Sequence, residues 1–143
     1  MVSERRPESR PPLIDASPVS WCRIAAMPAY RLRPAKNITD DTGRQISEVF
    51  GAADGHEDVS VAWVMMPAGS HRIEERNDYA EVVIVLSGRA RAVIDGKPEE
   101  VGAGHSIYVP RRALWRFENI GREPLVCYSI CMPAYKPGLS HPT

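Results

Sequence analysis

The residues most suited to chemistry lie close together in one stretch, "PAGSHRIEERNDYAEVVIVLSG", positions 67 to 88. It holds His71, Glu75, Asn77 and Glu81 between two glycines, Gly69 and Gly88. Two carboxylates brought into one apolar cavity do not both ionise easily, so one of them rises in pKa. A pair tuned in this way supplies a general acid and a general base. An imidazole titrates near neutral pH and is suited to relaying a proton. Asn77 adds an amide that can orient a substrate or donate to a developing oxyanion. Side chains alternate along a strand, so His71, Glu75 and Asn77 share one parity and are expected on one face, with Glu74 and Arg76 turned to solvent.

Such residues need a rigid frame, and the chain supplies one rich in short strands. "DVSVAWVMMPAG" is β-branched and is closed by Pro67 and Gly69. "AEVVIVLSG" is an apolar run short enough for a buried strand. "RARAVIDGKPEEV" alternates and then turns at Asp95-Gly96, a strong hairpin signal. "HSIYVP", "LWRFENIG" and "PLVCYSICMP" follow, with turn residues every eight to twelve positions or so. "RQISEVFG" is read as a further strand. This rhythm predicts an all-β sandwich or barrel. Residues 1–18, with four prolines, three arginines and little apolar content, read as a flexible arm. Residues 19–143 read as one domain, a size able to form a core.

Two spaced motifs sharpen this. Gly69 is followed by five residues, then Glu75-x-Asn77, three residues, Glu81, six residues and Gly88. Gly104 is followed by five residues, then Pro110-x-Arg112, two residues, Trp115, three residues and Asn119. The spacing of both motifs, and the gap over 89–103, resemble those of the cupin superfamily. The resemblance covers roughly residues 50 to 135. It implies a double-stranded β-helix, a jelly-roll barrel, with the motif side chains directed inward. It also implies a homodimer, built by an N-terminal strand from residues 22–50 that adds to the partner's sheet.

In typical members the motifs carry three histidines and a glutamate that hold a divalent metal. Here Glu75, Asn77 and Trp115 stand where the histidines would be, and only Glu81 remains. Arg112 replaces a motif glycine, which suggests an altered turn. An indole nitrogen is a hydrogen-bond donor and cannot ligate a metal. Two carboxylates and an amide suit a transition metal poorly. No cofactor is therefore expected; a rearranged divalent-metal set of His71, Glu75 and Glu81 is the alternative. Glu81 reads as the base, Glu75 as the acid and His71 as a relay. The bland alternative for Glu81 is a salt bridge to Arg76 or Arg116.

Asn77, Trp115, Trp63, Phe117 and Tyr108 are read as substrate-binding, with Trp63 sharing its face with Val61 and Met65. Together the aromatic residues would form an apolar bowl, or else simply fill a narrow barrel. His105 is expected in an exposed turn. The resulting expectation is a small metal-independent enzyme that isomerises, epimerises, dehydrates or cyclises a small organic substrate in a biosynthetic pathway. A binding module without chemistry is the competing expectation.

Bulk properties narrow the remaining classes. The 18 basic and 18 acidic residues cancel, which argues against a nucleic-acid partner. No apolar run reaches the ~20 residues of a membrane-spanning helix. "MVSERRPESRPP" has charges but no apolar segment after them, so a cytoplasmic protein is expected. Three cysteines, Cys22, Cys127 and Cys131, form no CxxC pair. Cys127 and Cys131, on one strand at about 3.3 Å per residue, would lie roughly 13 Å apart, too far for a disulfide.

Overall fold

A computed structural model describes residues 29–33 and 37–143. The expected flexible arm over residues 1–18 lies outside the described residues, as does Cys22.

Among the described residues, eleven strands make two antiparallel sheets. The first sheet contains β1 (Ile38–Thr39), β2 (Gln45–Phe50), β3 (Ser60–Met66), β5 (Ala80–Ser87), β8 (Ser106–Val109) and β10 (Leu125–Met132). They are ordered β1-β2-β3-β10-β5-β8. The second contains β4 (Glu75–Asn77), β6 (Arg89–Ile94), β7 (Lys97–Gly102), β9 (Trp115–Asn119) and β11 (Ser140–Pro142). Their order is β11-β4-β9-β6-β7. The chain passes repeatedly from one sheet to the other, as a jelly roll does. A 3₁₀ turn spans Ala52–Asp54. Among the described residues no helix is long and apolar enough to cross a membrane.

The two sheets close on one apolar core. Met66, Val83, Val85, Val109, Trp115, Phe117 and Leu125 are its most completely buried members. Alternation is the cause: on β9, Trp115, Phe117 and Asn119 are buried while Arg116 and Glu118 are half-exposed. The outer faces differ in kind. That of the five-stranded sheet carries Arg91, Arg116 and Glu118, tied together by ion pairs. That of the six-stranded sheet carries Ile84, Leu86, Tyr108 and Met132, all exposed.

Three details hold the barrel ends. The Asp95-Gly96 turn joins β6 to β7 with positive φ at both residues, 48° and 79°, which is the geometry a two-residue hairpin needs. Gly88, at φ 92°, lies so close to Pro124 and Leu125 that an added Cβ would sit 2.9 Å from their backbone. Asn119 is buried and its amide donates to the carbonyls of Met66 (3.0 Å) and Glu123 (2.9 Å). The last residue of the second motif is therefore a latch between strands.

Residues 45–50 form a strand inside the chain's own sheet, between β1 and β3. Arg112, in place of a motif glycine, takes a left-handed conformation that glycine adopts readily, at φ 69°. That conformation costs about 1–2 kcal/mol for a residue with a Cβ. Its amide donates to Asn77 O (2.8 Å) and its guanidinium to Asp78 (2.8 Å), which offset part of the cost.

Candidate functional site

β4 and β5 are consecutive in the chain but belong to opposite sheets. The short connection between them is what brings Glu75 and Glu81 into one interior. Glu75 begins β4 and is paired with Trp115 on β9. Glu81 lies on β5 between Cys131 of β10 and Val109 of β8. Glu81 is 1% exposed and Asn77 3%, while Glu75 is half-buried nearer the mouth. Trp115 and Phe117 are each 1% exposed, with ring centroids 5.7 Å apart. Asn77 donates its side-chain amide to Glu75 at 3.3 Å.

The two carboxylates are joined by a residue that the sequence reading passed over. Arg72 donates to Glu81 Oε1 at 2.9 Å through Nη1 and to Glu75 Oε1 through Nη2. Its guanidinium lies 4.5 Å from the centroid of Trp115, a cation–π contact. Burial acts against the charged guanidinium, but Glu81 and then Glu75 outweigh it, and the Arg72 pKa is raised. Arg72 therefore stays a fixed cation. Ser129 completes the inner end, donating to Glu81 Oε1 at 2.6 Å. Burial first, and then the charge of Glu81, push the thiols of Cys127 and Cys131 up to about 12. Neither is a nucleophile near neutral pH.

His71 is not joined to the two carboxylates. It is exposed, its backbone forms an isolated bridge with Glu118 of β9, and it lines the mouth cavity beside Arg72 and Glu75. Residues 72–74 are not a strand, so the alternation that linked His71 to Glu75 is broken there. Arg72 turns inward in its place. Arg76 and Arg116, expected as partners of Glu81, bind elsewhere: Arg76 donates to Arg112 O (2.8 Å), and Arg116 pairs with Glu118 (2.7 Å). Glu74, expected in solvent, is half-buried.

Two aromatic assignments also fail. Ala62, Val64 and Met66 are the β3 residues that meet the core. Trp63 is on the opposite face, buried at 7% exposure, with Arg33 stacked 4.3 Å from its ring. Val61 and Met65, of the same parity, go with it. Tyr108 is 60% exposed on the outer face. Trp115 and Phe117 are inside, as expected for either reading of them. His105 is exposed.

The open space beside the centre is small. A cavity of about 110 Å³ at the barrel mouth is lined by Asp40, Thr42, Arg44, His71, Arg72, Ile73, Glu75 and Pro142. Asp40 is held below the usual carboxylate range: burial opposes this, but hydrogen bonds from Thr42 and the charge of Arg44 (2.8 Å) prevail. A larger, shallower hollow of about 410 Å³ lies outside, over Gly69, Ser70, His71, Arg116, Glu118 and Asn119. It does not reach Glu75 or Glu81.

The fold and the two motifs agree with a family model described as "Cupin domain", which matches residues 62–131. The protein belongs to the cupin superfamily. It is 38% identical, over 112 residues and 78% of its length, to a Myxococcus xanthus protein named "Endoribonuclease YbeY", of which the match covers 38%. It is 31% identical over 53% of its length to an uncharacterized protein of Methanocaldococcus jannaschii, of which the match covers 62%. The chain thus spans less than two thirds of either relative. Among solved structures, an RmlC-like cupin from Shewanella frigidimarina superposes with a TM-score of 0.63 at 15% identity, over 71% of this chain and 86% of that one. This last likeness concerns the fold alone.

The metal of typical cupins does not fit these residues. Trp115 cannot ligate, and His71, exposed at the mouth, is not grouped with the two carboxylates. The guanidinium of Arg72 already lies between the two carboxylates, where it would repel a second cation. Among the described residues no three His, Cys, Asp or Glu side chains are grouped so that they could hold a metal ion.

Proposed function

We propose that this cupin works without a resident metal: it binds a small organic molecule at the barrel mouth and acts on it by proton transfer. One observation supports the reading above the others, namely the single guanidinium of Arg72 joined to both Glu75 and Glu81. In this reading the two acids have different roles. Glu75 lines the mouth cavity and is the group that exchanges a proton with the ligand. Glu81, buried and held by Ser129 and Arg72, positions Arg72 and is not in reach of substrate. Asn77, donating to Glu75, orients that carboxylate. Isomerisation, epimerisation, dehydration and cyclisation all share a proton-transfer step that one placed carboxylate can perform.

The test begins with a thermal-stability screen against a library of small metabolites, since a ligand that binds only the folded state raises the midpoint. Compounds that stabilise are then assayed for conversion by the wild type and by Glu75→Gln. Conversion that is lost in Glu75→Gln supports the reading. Equal conversion by both removes Glu75 from the mechanism.

The match within a longer protein named as an endoribonuclease supports a second reading, an accessory unit that binds without chemistry. Direct contact with RNA is not favoured. Arg89, Arg91 and Arg116 on the five-stranded sheet are each paired with Glu100 or Glu118, which leaves little charge for phosphates. Stabilisation by a metabolite without any conversion would favour this second reading.

A further inference from the structure

Two ion pairs wall the barrel mouth. Asp40 and Arg44 come from the turn between β1 and β2, and Arg72 and Glu75 from the segment that enters β4. All four line the cavity of about 110 Å³. Their charges cancel, but their hydrogen-bonding capacities are not equally engaged. Asp40 is saturated. Its Oδ1 accepts from the Thr42 amide (3.0 Å), the Thr42 hydroxyl (2.6 Å) and the Arg44 amide (3.0 Å), and its Oδ2 from Arg44 Nε (2.8 Å). Arg72 directs its two Nη groups at Glu81 and Glu75. Arg44 engages only Nε, so both its Nη groups lack a partner among the described residues. Glu75 accepts on Oε1 alone, from Arg72 and Asn77. Its Oε2 has no partner among the described residues and, unlike Glu81 Oε2, is not sealed from solvent. The Arg44 side chain is 21% exposed and that of Glu75 12%, so a solute reaches both.

Resting on the proton-transfer reading above, we infer that the mouth takes a small zwitterion, a short amino acid, with its carboxylate on Arg44 and its ammonium on Glu75. A guanidinium with two open Nη groups meets a carboxylate through paired, charge-assisted hydrogen bonds. Asp40 holds Arg44 in place beforehand, which lowers the ordering cost of binding. On the opposite wall the ammonium donates to Glu75 Oε2, so the amino group lies against the carboxylate assigned to proton transfer. A neutral ligand with two opposite charges keeps the mouth balanced. A lone carboxylate or a lone amine engages one wall, leaves the other open and brings an unbalanced charge into the cavity. The size agrees: at ~30 Å³ per water the cavity has the room of about four waters, which limits the enclosed part of the ligand to a few heavy atoms.

The wild-type protein itself provides the test. The backbone amide signals of Thr42, Arg44 and Ile73, which line the cavity, are followed by NMR while glycine, L-alanine, acetate and methylamine are added at matched pH and ionic strength. The expected result is a saturable shift with glycine or alanine, at least about tenfold tighter than with acetate or methylamine. Arg44→Gln should weaken the amino acid by about tenfold or more and bring it level with methylamine. Acetate or methylamine binding as tightly as the amino acids would overturn the inference, as would no saturable shift with either amino acid, or undiminished binding in a folded Arg44→Gln. The wild-type comparison decides even where that variant fails to fold. The underlying reading fails separately. Amino acids that bind and are not converted, or a stoichiometric transition metal in the purified protein, count against proton transfer without metal and leave this inference standing. Conversion, lost in Glu75→Gln, of a compound that lacks either charged group overturns this inference alone.

Discussion

Replacing Arg72 by methionine keeps most of the side-chain volume and removes the charge. Two losses follow. Glu81, with a side chain 2% exposed, and Glu75, at 12%, lose their shared cation. Breaking a buried ion pair by removing one partner costs about 3–5 kcal/mol. The cation–π contact with Trp115 adds about 1 kcal/mol. The 15% exposure of the Arg72 side chain softens both, so we expect a destabilisation of about 4 kcal/mol, a large part of the ~5–15 kcal/mol that holds a typical domain. Urea unfolding followed by tryptophan fluorescence measures it. The double variant Arg72→Met with Glu81→Gln removes the stranded charge, and it should be more stable than Arg72→Met alone by about 1–3 kcal/mol. An Arg72→Met protein within about 0.5 kcal/mol of the wild type, the range of ordinary surface substitutions, would refute the reasoning.

Other predictions follow from single contacts. Gly88→Ala should lower the thermal midpoint by several degrees or prevent folding, because its Cβ meets backbone at 2.9 Å and its φ is 92°; differential scanning calorimetry checks this. Cys127 and Cys131, with thiols pushed up to about 12, should resist iodoacetamide at pH 8 in the folded protein and react on unfolding, as intact mass would show. The sign of the linkage follows: the folded state holds these protons more tightly, so stability is kept below the ordinary thiol range, about 8.5, and declines as pH rises from there toward 12. We propose a homodimer in solution, consistent with the exposed Ile84, Leu86, Tyr108 and Met132 on one sheet; a monomer mass by light scattering at micromolar concentration would contradict it.

The strands with strict alternation or firm turn residues were legible in the sequence. β6 and the Asp95-Gly96 turn are an example: Ala90 and Ala92 are buried in alternation with Arg89 and Arg91, which leaves a single register. The inward position of Trp115 and Asn77 was also legible, because motif spacing places both on strands. Trp63 was not. The segment "SVAWVMM" is apolar at nearly every position, so alternation cannot say which parity faces the core, and the sheet proves to be covered on both sides at that point. Arg72 was missed for a different reason. Parity counting from Glu75 assigns it to the outer face, and that count holds only within a continuous strand. One signal was present: two inward carboxylates that have lost their histidines need a cation, and Arg72 is among the nearest basic residues. β4 and β11 are only three residues each, too short for any period to register.

The central claim is that the guanidinium of Arg72 is the fixed cation of the barrel interior, bridging Glu75 and Glu81. Side-chain ¹⁵N NMR of arginine reads this directly. The account predicts one arginine whose Nη protons are separately resolved and slow to exchange with water, lost in Arg72→Met and altered in Glu81→Gln. An Arg72 signal that is averaged and exchanges as fast as those of surface arginines would contradict it.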